Sequence, residues 1–438
     1  MAYEVATATS HVDFCRRLMS FLLTNSALVT ANQEWEYLGY GVLSMRIPGD
    51  ARVSFANRFN CLDTDRVGTT ATISPSLLPA ELYFEFVQAR NFNGFIVRIG
   101  TTAADSPAAF SFDWSDDGTT WTTVQSWSGI TWTASEEKTF TFNTPPAAPH
   151  RFWRFRVTAG NSANSVAIAD FDGVAPGGAR AVIDSLVTLR GPGLSGDDEI
   201  LVTFDLATSW SIASDYYNVG IGALSTRNPV VRVAEQANRL SSRYVLLWDQ
   251  AMPYWLVANG RRFYFGVRVS TVYESAYAGF INPFHLPTTW PYPLFVGASE
   301  PDSTDRWSIV RGDHTAFFVP NAAAMYFPDG VWRSIQSRVN GVGNADGWSD
   351  TNVILPWHRY DYSTDYRENL DGTYPLSPAI INVTSPFRAV MGTLDGIFWT
   401  TGFNNSSETI LTVSGVNYVV IQNVFRTTAG EYAAFRLE

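Results

Sequence analysis

Five histidines are the first candidates for chemistry: His11, His150, His285, His314 and His358. A hydrolytic zinc site needs paired histidines at a fixed spacing, as in HExxH, and no such pair occurs. His314 and His358 stand beside acids in "GDHTAF" and "PWHRYDY", which suits metal or acid–base chemistry but is also typical of ordinary loop histidines. We therefore predict no metal site and no cofactor.

Carboxylates are the second candidates, because glycan hydrolysis uses two of them facing each other across the scissile bond. Asp113, Asp116 and Asp117 cluster in a hairpin whose turn favours aspartate, and Asp361 and Asp365 lie in a polar loop. No G-x-S-x-G elbow is present, and "GVGNADG" lacks the Lys-Ser/Thr of a phosphate-binding loop. We predict that the chain is not an enzyme, and a depolymerase is the weakest hypothesis.

Tryptophans offer a different chemistry, since an exposed indole can stack against a sugar ring. Alternation places Trp114 in a core, whereas Trp127 and Trp132 flank "SGIT" and are expected to be exposed. Together with Trp121 in the same region, they are the candidate glycan-binding residues.

The C-terminal part carries large aromatic side chains in loops with few charges, which is typical of a subunit interface. The candidate interface residues are Trp290, Tyr292, Phe295, Trp348 and Trp357. The alternative is that these loops pack on their own domain.

The elements that position these residues are mostly strands. Helical periodicity occurs in "SHVDFCRRLMSFLLTN", where Ser10 caps a helix of about 14 residues, with Asp13 three positions on. "EWEYLGYGVLSMRI" predicts a short strand pair. From about residue 79, apolar residues alternate with polar ones, and Asn93-Gly94 and Asp117-Gly118 mark turns. In "RFWRFRVT" the same alternation places Arg154 and Arg156 outward.

Within the aromatic stretch at residues 254–284, residues 263–270 also have a period of two, which predicts a strand with one buried face. Asn259-Gly260 predicts a type I′ hairpin turn before it. Arg261, Arg262, Arg268 and Glu274 interrupt the stretch, so it does not provide the roughly 20 apolar residues of a spanning helix. No membrane insertion is predicted.

Composition narrows the function classes. The 438 residues are 46% hydrophobic and 16% charged, which is enough apolar material for several cores. A net charge of −11 argues against coating nucleic acid. Cys15 and Cys61 are interpreted as ordinary thiols, although a bridge between them stays open, and no secretory signal is visible at the N-terminus.

Residues 78–176 resemble the discoidin-type (F5/8 type C) jelly roll. "FSFDWSDDGTTWTTV" matches its S-x-DG-x-x-W hairpin, and "HRFWRFRVT" matches the strand R-[YF]-[VWL]-R that follows. The resemblance implies loops that hold sugars, lipid head groups or proteins. We therefore predict a mainly β, multidomain chain: an N-terminal α+β module (1–76), a discoidin-like β-sandwich (77–176) and a larger β-rich domain (177–438).

A second resemblance spans most of the chain. "LRGPGLSGDDEILV", "SDYYNVGIGAL", "WPYPLFVGAS", "LDGIFWTTGF" and "YVVIQNVFRT" are similar, in this order, to virion structural proteins of tailed bacteriophages. The resemblance implies a component of the tail or adsorption apparatus, made in the bacterial cytoplasm and located in the virion. Its partners would be other virion proteins and copies of itself. The alternatives are a receptor-binding protein for host surface glycans and a neck- or capsid-attached decoration protein.

Overall fold

The computed structural model describes residues 1–45, 61–62, 70–74, 77–163, 165–193, 199–206, 216–284, 294–299, 323–327, 329–338, 372–383, 389–422 and 432–438. Within these ranges strands dominate and helices are few, so the prediction of a mainly β chain is confirmed. No helix in the same ranges has the length and apolar character needed to span a bilayer.

The predicted N-terminal helix is present as α1 (His11–Thr24), and a short α2 (Ser26–Thr30) follows it. The Ser10 side chain accepts a hydrogen bond from the backbone N–H of Asp13 at 3.2 Å, which satisfies one of the free amides of the first turn. Phe14, Leu18 and Leu22 recur at helical spacing and are buried. The helix is therefore held by packing along one face.

Two sheets form a β-sandwich. The six-stranded sheet has the order β13 (Ile183–Asp184), β3 (Tyr40–Ser44), β5 (Ala80–Arg90), β10 (His150–Gly160), β7 (Pro107–Ser115) and β8 (Thr122–Trp127). The five-stranded sheet comprises β12 (Arg180–Ala181), β11 (Val166–Val174), β6 (Gly94–Ile99) and β9 (Glu137–Thr141), with β4 (Ala71–Ile73) pairing with β11. Between them lies a core rich in phenylalanine, in which the rings of Phe95 and Phe112 stack 4.3 Å apart.

The remaining strands form two further sheets. A five-stranded sheet has the order β17 (Arg239–Trp248), β16 (Tyr216–Leu224), β15 (Ile200–Asp205), β14 (Leu186–Gly191) and β2 (Glu36–Leu38). The first part of the largest sheet has the order β1 (Ala2–Ala8), β18 (Met252–Asn259), β19 (Arg262–Val269), β20 (Val272–Phe280), β22 (Leu294–Ala298) and β23 (Ala323–Tyr326). It continues through β24 (Trp332–Arg338), β25 (Ser377–Val383), β26 (Ala389–Thr400), β29 (Tyr432–Arg436), β28 (Val416–Gln422) and β27 (Ile410–Val413), and β21 (Asn282–Pro283) pairs with β26.

Strands β18 to β20 are buried on both faces, so the expectation of one buried face for this stretch is wrong. Phe263 and Phe265 face the core that contains α1 and the β14–β17 sheet. Tyr264, on the opposite face, packs against the C-terminal strands of the same sheet, β24 to β29. β29 lies so close to β19 that a Cβ on Gly266 would lie 3.1 Å from the ring of Phe435. Near-continuous burial explains why the sequence is apolar at almost every position.

The predicted hairpin of β18 and β19 is present, but its turn lies one residue further on. Asn259 pairs with Arg262, so the turn residues are Gly260 and Arg261, and Gly260 is not among the glycines with positive φ. The Asn259 side chain accepts hydrogen bonds from the amides of Arg261 and Arg262 at 2.9 and 3.1 Å. This side-chain contact replaces the predicted type I′ geometry.

The N-terminal residues pack against the rest of the chain. β1 pairs with β18, and α1 belongs to the core beneath β18–β20. β2 and β3 are strands, as predicted, but they pair with β14 and with β5 instead of with each other. The predicted domain boundaries at 76/77 and 176/177 stay a prediction.

A buried ionic cluster fixes the sandwich to the neighbouring sheet. Arg232 is fully buried; its Nη2 contacts the Asp170 carboxylate and lies 3.2 Å from Oδ1 of Asp172. Nearby, the Asp184 carboxylate accepts a hydrogen bond from the Val233 amide at 2.6 Å. Since β11 carries Asp170 and Asp172, and Arg232 lies in the connection between β16 and β17, these contacts join the sandwich to the segment that links two strands of the neighbouring sheet.

Removing the buried guanidinium tests this junction. Arg232→Met should lower the free energy of unfolding by about 1–3 kcal/mol, because two buried carboxylates lose one of the two guanidiniums that they share and keep only that of Arg180. Arg190→Met is the matched control, since Arg190 is 44% exposed and pairs with the exposed Glu36. Urea denaturation followed by tryptophan fluorescence measures both. Equal stability of the two variants would contradict a structural role for the cluster.

Candidate ligand-binding face of the sandwich

The three predicted glycan-binding tryptophans lie in different environments. Trp132 is 8% exposed, and its indole N–H donates to the Pro107 carbonyl at 2.8 Å, so the expectation that it is exposed is wrong. Trp127 is half-buried, and its ring lies 5.4 Å from that of Phe112 in the sandwich core. Trp121, also half-buried, is on the opposite side of the six-stranded sheet.

The outer face is the side of the six-stranded sheet that points away from the sandwich core. The inward residues of β10 are Trp153, Phe155 and Val157. Phe152, Arg154 and Arg156 alternate with them and therefore lie on the outer face. Asp113 of β7 and Tyr83 of β5 sit directly opposite Arg154 and share its side of the sheet.

Trp121 is fixed by two neighbours on the outer face. The Arg154 guanidinium lies over its ring, 4.3 Å from the centroid, and the Tyr83 ring meets it edge-on at 5.9 Å. Both geometries are favourable for aromatic side chains. The partly exposed indole is therefore held in one orientation.

Arg154 is itself fixed by a row of charges. Its Nε donates to Asp113 at 2.7 Å and its Nη1 donates to Glu81 at 2.9 Å. Arg156 lies 3.6 Å from the same Glu81 carboxylate. The Asp113 side chain is almost fully buried, so this guanidinium is held on the sheet by a charge that water screens poorly.

A second buried carboxylate lies further along the same face. Glu85 is 1% exposed and accepts two hydrogen bonds from Arg16 of α1, both at 2.7 Å, and one from Arg151 at 3.0 Å. The paired contact with Arg16 is the strong bidentate arrangement. Burial raises the pKa of the neighbouring Tyr83 hydroxyl, so this phenol stays protonated. The carboxylate of Glu85 thus joins the helix to the sandwich.

The clustered aspartates have structural partners. Asp117 accepts from the amides of Thr119 and Thr120, both at 2.7 Å, and these bonds hold the pKa of its carboxyl well below the usual range. Asp116 contacts Nδ1 of His150 at 2.9 Å, and the His150 ring stacks 3.5 Å from that of Trp114. The predicted turn at Asp117-Gly118 is confirmed.

The other candidates for chemistry are buried or lie outside the described ranges. His11 stacks 3.6 Å from Tyr217 and contacts Asp249 at 3.1 Å. Cys15 and Cys61 are both buried and are not joined in a disulfide, and burial raises the pKa of the Cys15 thiol to about 12. Among the described residues, no group of three or more His, Cys, Asp or Glu side chains is placed to hold a metal ion. Five of the candidates fall outside those residues: His285, His314, His358, Asp361 and Asp365.

One predicted interface residue is described. Phe295 of β22 is 0% exposed and packs edge-on against Tyr277 at 5.6 Å, inside the folded sheet. The prediction that Phe295 contacts another subunit is therefore wrong, because its side chain is not accessible at the protein surface. The remaining candidates, Trp290, Tyr292, Trp348 and Trp357, lie outside the described residues.

Sequence reasoning placed Arg154 and Arg156 outward but missed the residues that organise the face. Glu85 sits among apolar neighbours in β5, and an acid at such a position signals a buried ion pair. Its partners Arg16 and Arg151 are 69 and 66 positions away in the chain. No local pattern connects residues at that separation.

Several solved structures are similar to part of this chain. A family 32 carbohydrate-binding module from a family 31 glycoside hydrolase of Clostridium perfringens is 17% identical; the match covers 32% of this chain and 92% of that one, with a TM-score of 0.23. An F5/8 type C domain from Bacteroides fragilis is 15% identical over 31% and 88%, with a TM-score of 0.22. The family 32 module of NanJ from Clostridium perfringens, solved with galactose, is 14% identical over 33% and 94%, with a TM-score of 0.22.

No protein-family model matches the chain, and no curated protein matches it in sequence. None of these comparisons supports the resemblance to tailed-phage virion proteins, which stays a prediction. At such low identities and scores, function has to be argued from the residues of this chain.

The role of Glu85 can be tested by an isosteric change. Glu85→Gln should lower the free energy of unfolding by about 1–3 kcal/mol, because charge-assisted hydrogen bonds become neutral ones in a buried setting. Glu36→Gln removes an exposed acid paired with Arg190 and should have little effect. Chemical denaturation of the two variants compares them. A Glu85 variant as stable as the wild type would show that the ion pairs of Glu85 with Arg16 and Arg151 do not stabilise the fold.

Proposed function

We propose that this chain is a carbohydrate-binding protein and that the outer face of its sandwich contacts the sugar through Trp121. The observation that carries the proposal is the partly exposed Trp121 ring, held against Arg154 at 4.3 Å and Tyr83 at 5.9 Å. A fixed aromatic ring gives contact area at little entropic cost. It therefore suits the apolar face of a sugar ring.

The surroundings of Trp121 supply the polar part of such a site. Thr119, Thr120 and Thr122 are exposed beside it in the hairpin. The Glu81 carboxylate and the Arg154 guanidinium lie on the adjoining sheet and are 16% and 14% exposed. A few oriented polar groups around an apolar platform are what a small-ligand site requires.

The proposal is for binding without catalysis. Asp113 is engaged by Arg154, Asp116 by His150, and Asp117 by the amides of its own turn. Each carboxylate of this cluster thus has a structural partner, whereas glycoside hydrolysis needs one proton donor and one nucleophile or base facing each other.

Substitution of Trp121 tests the proposal. Trp121→Ala should weaken binding of neutral glycans by roughly tenfold or more, since tryptophans often dominate binding energy. Trp127→Phe is the control, because it keeps an aromatic ring in the sandwich core and leaves the outer face unchanged. A glycan array followed by calorimetry on any ligand found gives the comparison. An array without ligands, or a ligand indifferent to Trp121→Ala, would refute the proposal.

A second candidate function is assembly into a particle, and one edge of the largest sheet favours it. β1 is the terminal strand, and β18 is its pairing partner among the described strands. Tyr3 and Val5 project from β1 and are 51% and 50% exposed. An apolar edge strand can pair with the same strand of a second copy. Such self-pairing would suit a virion protein at the tail, the neck or the capsid surface.

This candidate predicts a concentration-dependent oligomer. The double variant Tyr3→Lys, Val5→Lys should stay folded and shift the protein towards monomer, because two cations would face each other across the new pair. Val29→Lys changes an exposed valine on α2 and should not alter assembly. Light scattering after size-exclusion chromatography measures the mass. A wild-type monomer at every concentration would rule out pairing through β1.

A further inference from the structure

A groove separates α1 from the six-stranded sheet. Its volume is about 310 Å³, at the lower end of the range of about 300–1,000 Å³ for small-ligand sites. Buried apolar side chains contribute to its lining: Met19 and Leu23 from the helix, Leu43 from β3 and Val87 from β5. A compact ligand could therefore rest one apolar side in the groove.

Polar side chains complete the lining, among them the carboxylate of Asp13 and the hydroxyl of Thr24. Arg16, Arg17 and Arg151 contribute guanidiniums that are 37–40% exposed. Gln88 and Ser20 contribute an amide and a hydroxyl, and both residues are exposed. The groove thus combines charge, hydrogen-bond donors and an apolar surface.

Two of these guanidiniums are held in position before any ligand arrives. The Glu85 carboxylate accepts hydrogen bonds from Nε and Nη2 of Arg16 and from Nη2 of Arg151. Nη1 of each guanidinium can then donate to a ligand. Orienting the donors in advance lowers the entropic cost of binding. Asp13 holds Arg17 in the same way at 3.0 Å.

The local charge differs from that of the whole chain. The protein carries a formal charge of −11, whereas the groove presents guanidiniums from two elements that meet at one point. Guanidinium groups match the planar, bidentate geometry of a carboxylate. The three guanidiniums are paired with two carboxylates, those of Glu85 and Asp13, so one positive charge remains for an anionic ligand.

We propose that this groove binds a sugar acid of monosaccharide size, with its carboxylate on Arg151 and Arg16 and its ring over the apolar side chains. The choice of a carboxylate rests on the guanidiniums, and the choice of a sugar rests on the proposed glycan-binding function. Trp121 does not line the groove, so a variant can lose binding at one of the two sites and keep it at the other.

Calorimetric titration with D-galacturonate, and with D-galactose as the neutral counterpart, tests the proposal. Arg151→Gln should weaken galacturonate binding roughly tenfold or more, and Gln88→Ala about twofold to tenfold. Arg151 is preferred to Arg16 as the target, because Glu85 keeps both bonds to Arg16 when Arg151 is changed. The fold is therefore retained in both variants.

Arg156→Gln is the matched control, since it is the same change on the same strand at 40% exposure, outside the groove. It should leave galacturonate binding unchanged, and so should Trp121→Ala. Equal affinity for galactose, equal affinity for inorganic phosphate, or equal losses in the Arg151 and Arg156 variants would each overturn the assignment. Loss of neutral-glycan binding in Trp121→Ala alone would concern the other site only.

Discussion

Burial of β18–β20 on both faces is the constraint on which the rest of the fold depends. Phe263 and Phe265 support α1 and the β14–β17 sheet, while Tyr264 supports the strands that fold back over the layer. Arg262 is buried in this layer and is paired with Asp395 at 2.9 Å, which offsets part of the cost of burying its charge. Three elements from distant parts of the sequence therefore share one apolar layer.

Buried charges attach the sandwich to this layer. Glu85 binds Arg16 of α1, and Arg232, in the connection between β16 and β17, contacts Asp170 and Asp172. Breaking such a pair leaves an uncompensated charge, so the contacts set position strongly even where their net contribution to stability is small. The contacts of Glu85 also orient Arg16 and Arg151, which line the groove. The ion pairs of Glu85 thus serve both the fold and the proposed binding surface.

The sequence predicted elements better than their partners. The Ser10 cap, the helix at His11–Thr24, the Asp117-Gly118 turn and the period-two strands were all predicted, because each depends on neighbours within a few positions. The pairing of β2 with β3 and the exposure of Trp132 were predicted wrongly. Which strand lies beside another, and which ring is covered, depends on residues far away in the chain.

By itself, the sequence determined that the chain is mainly β, that it begins with a capped helix, and that Arg154 and Arg156 point away from the sandwich core. Local periodicity carries that information, since side chains alternate along every strand. Tertiary structure alone decided that Trp121 is held by Arg154, that Glu85 joins two arginines, and that Phe295 is interior. Those facts depend on the register between strands and on the packing of α1 against the sheet, for which the distances along the chain leave no local signal.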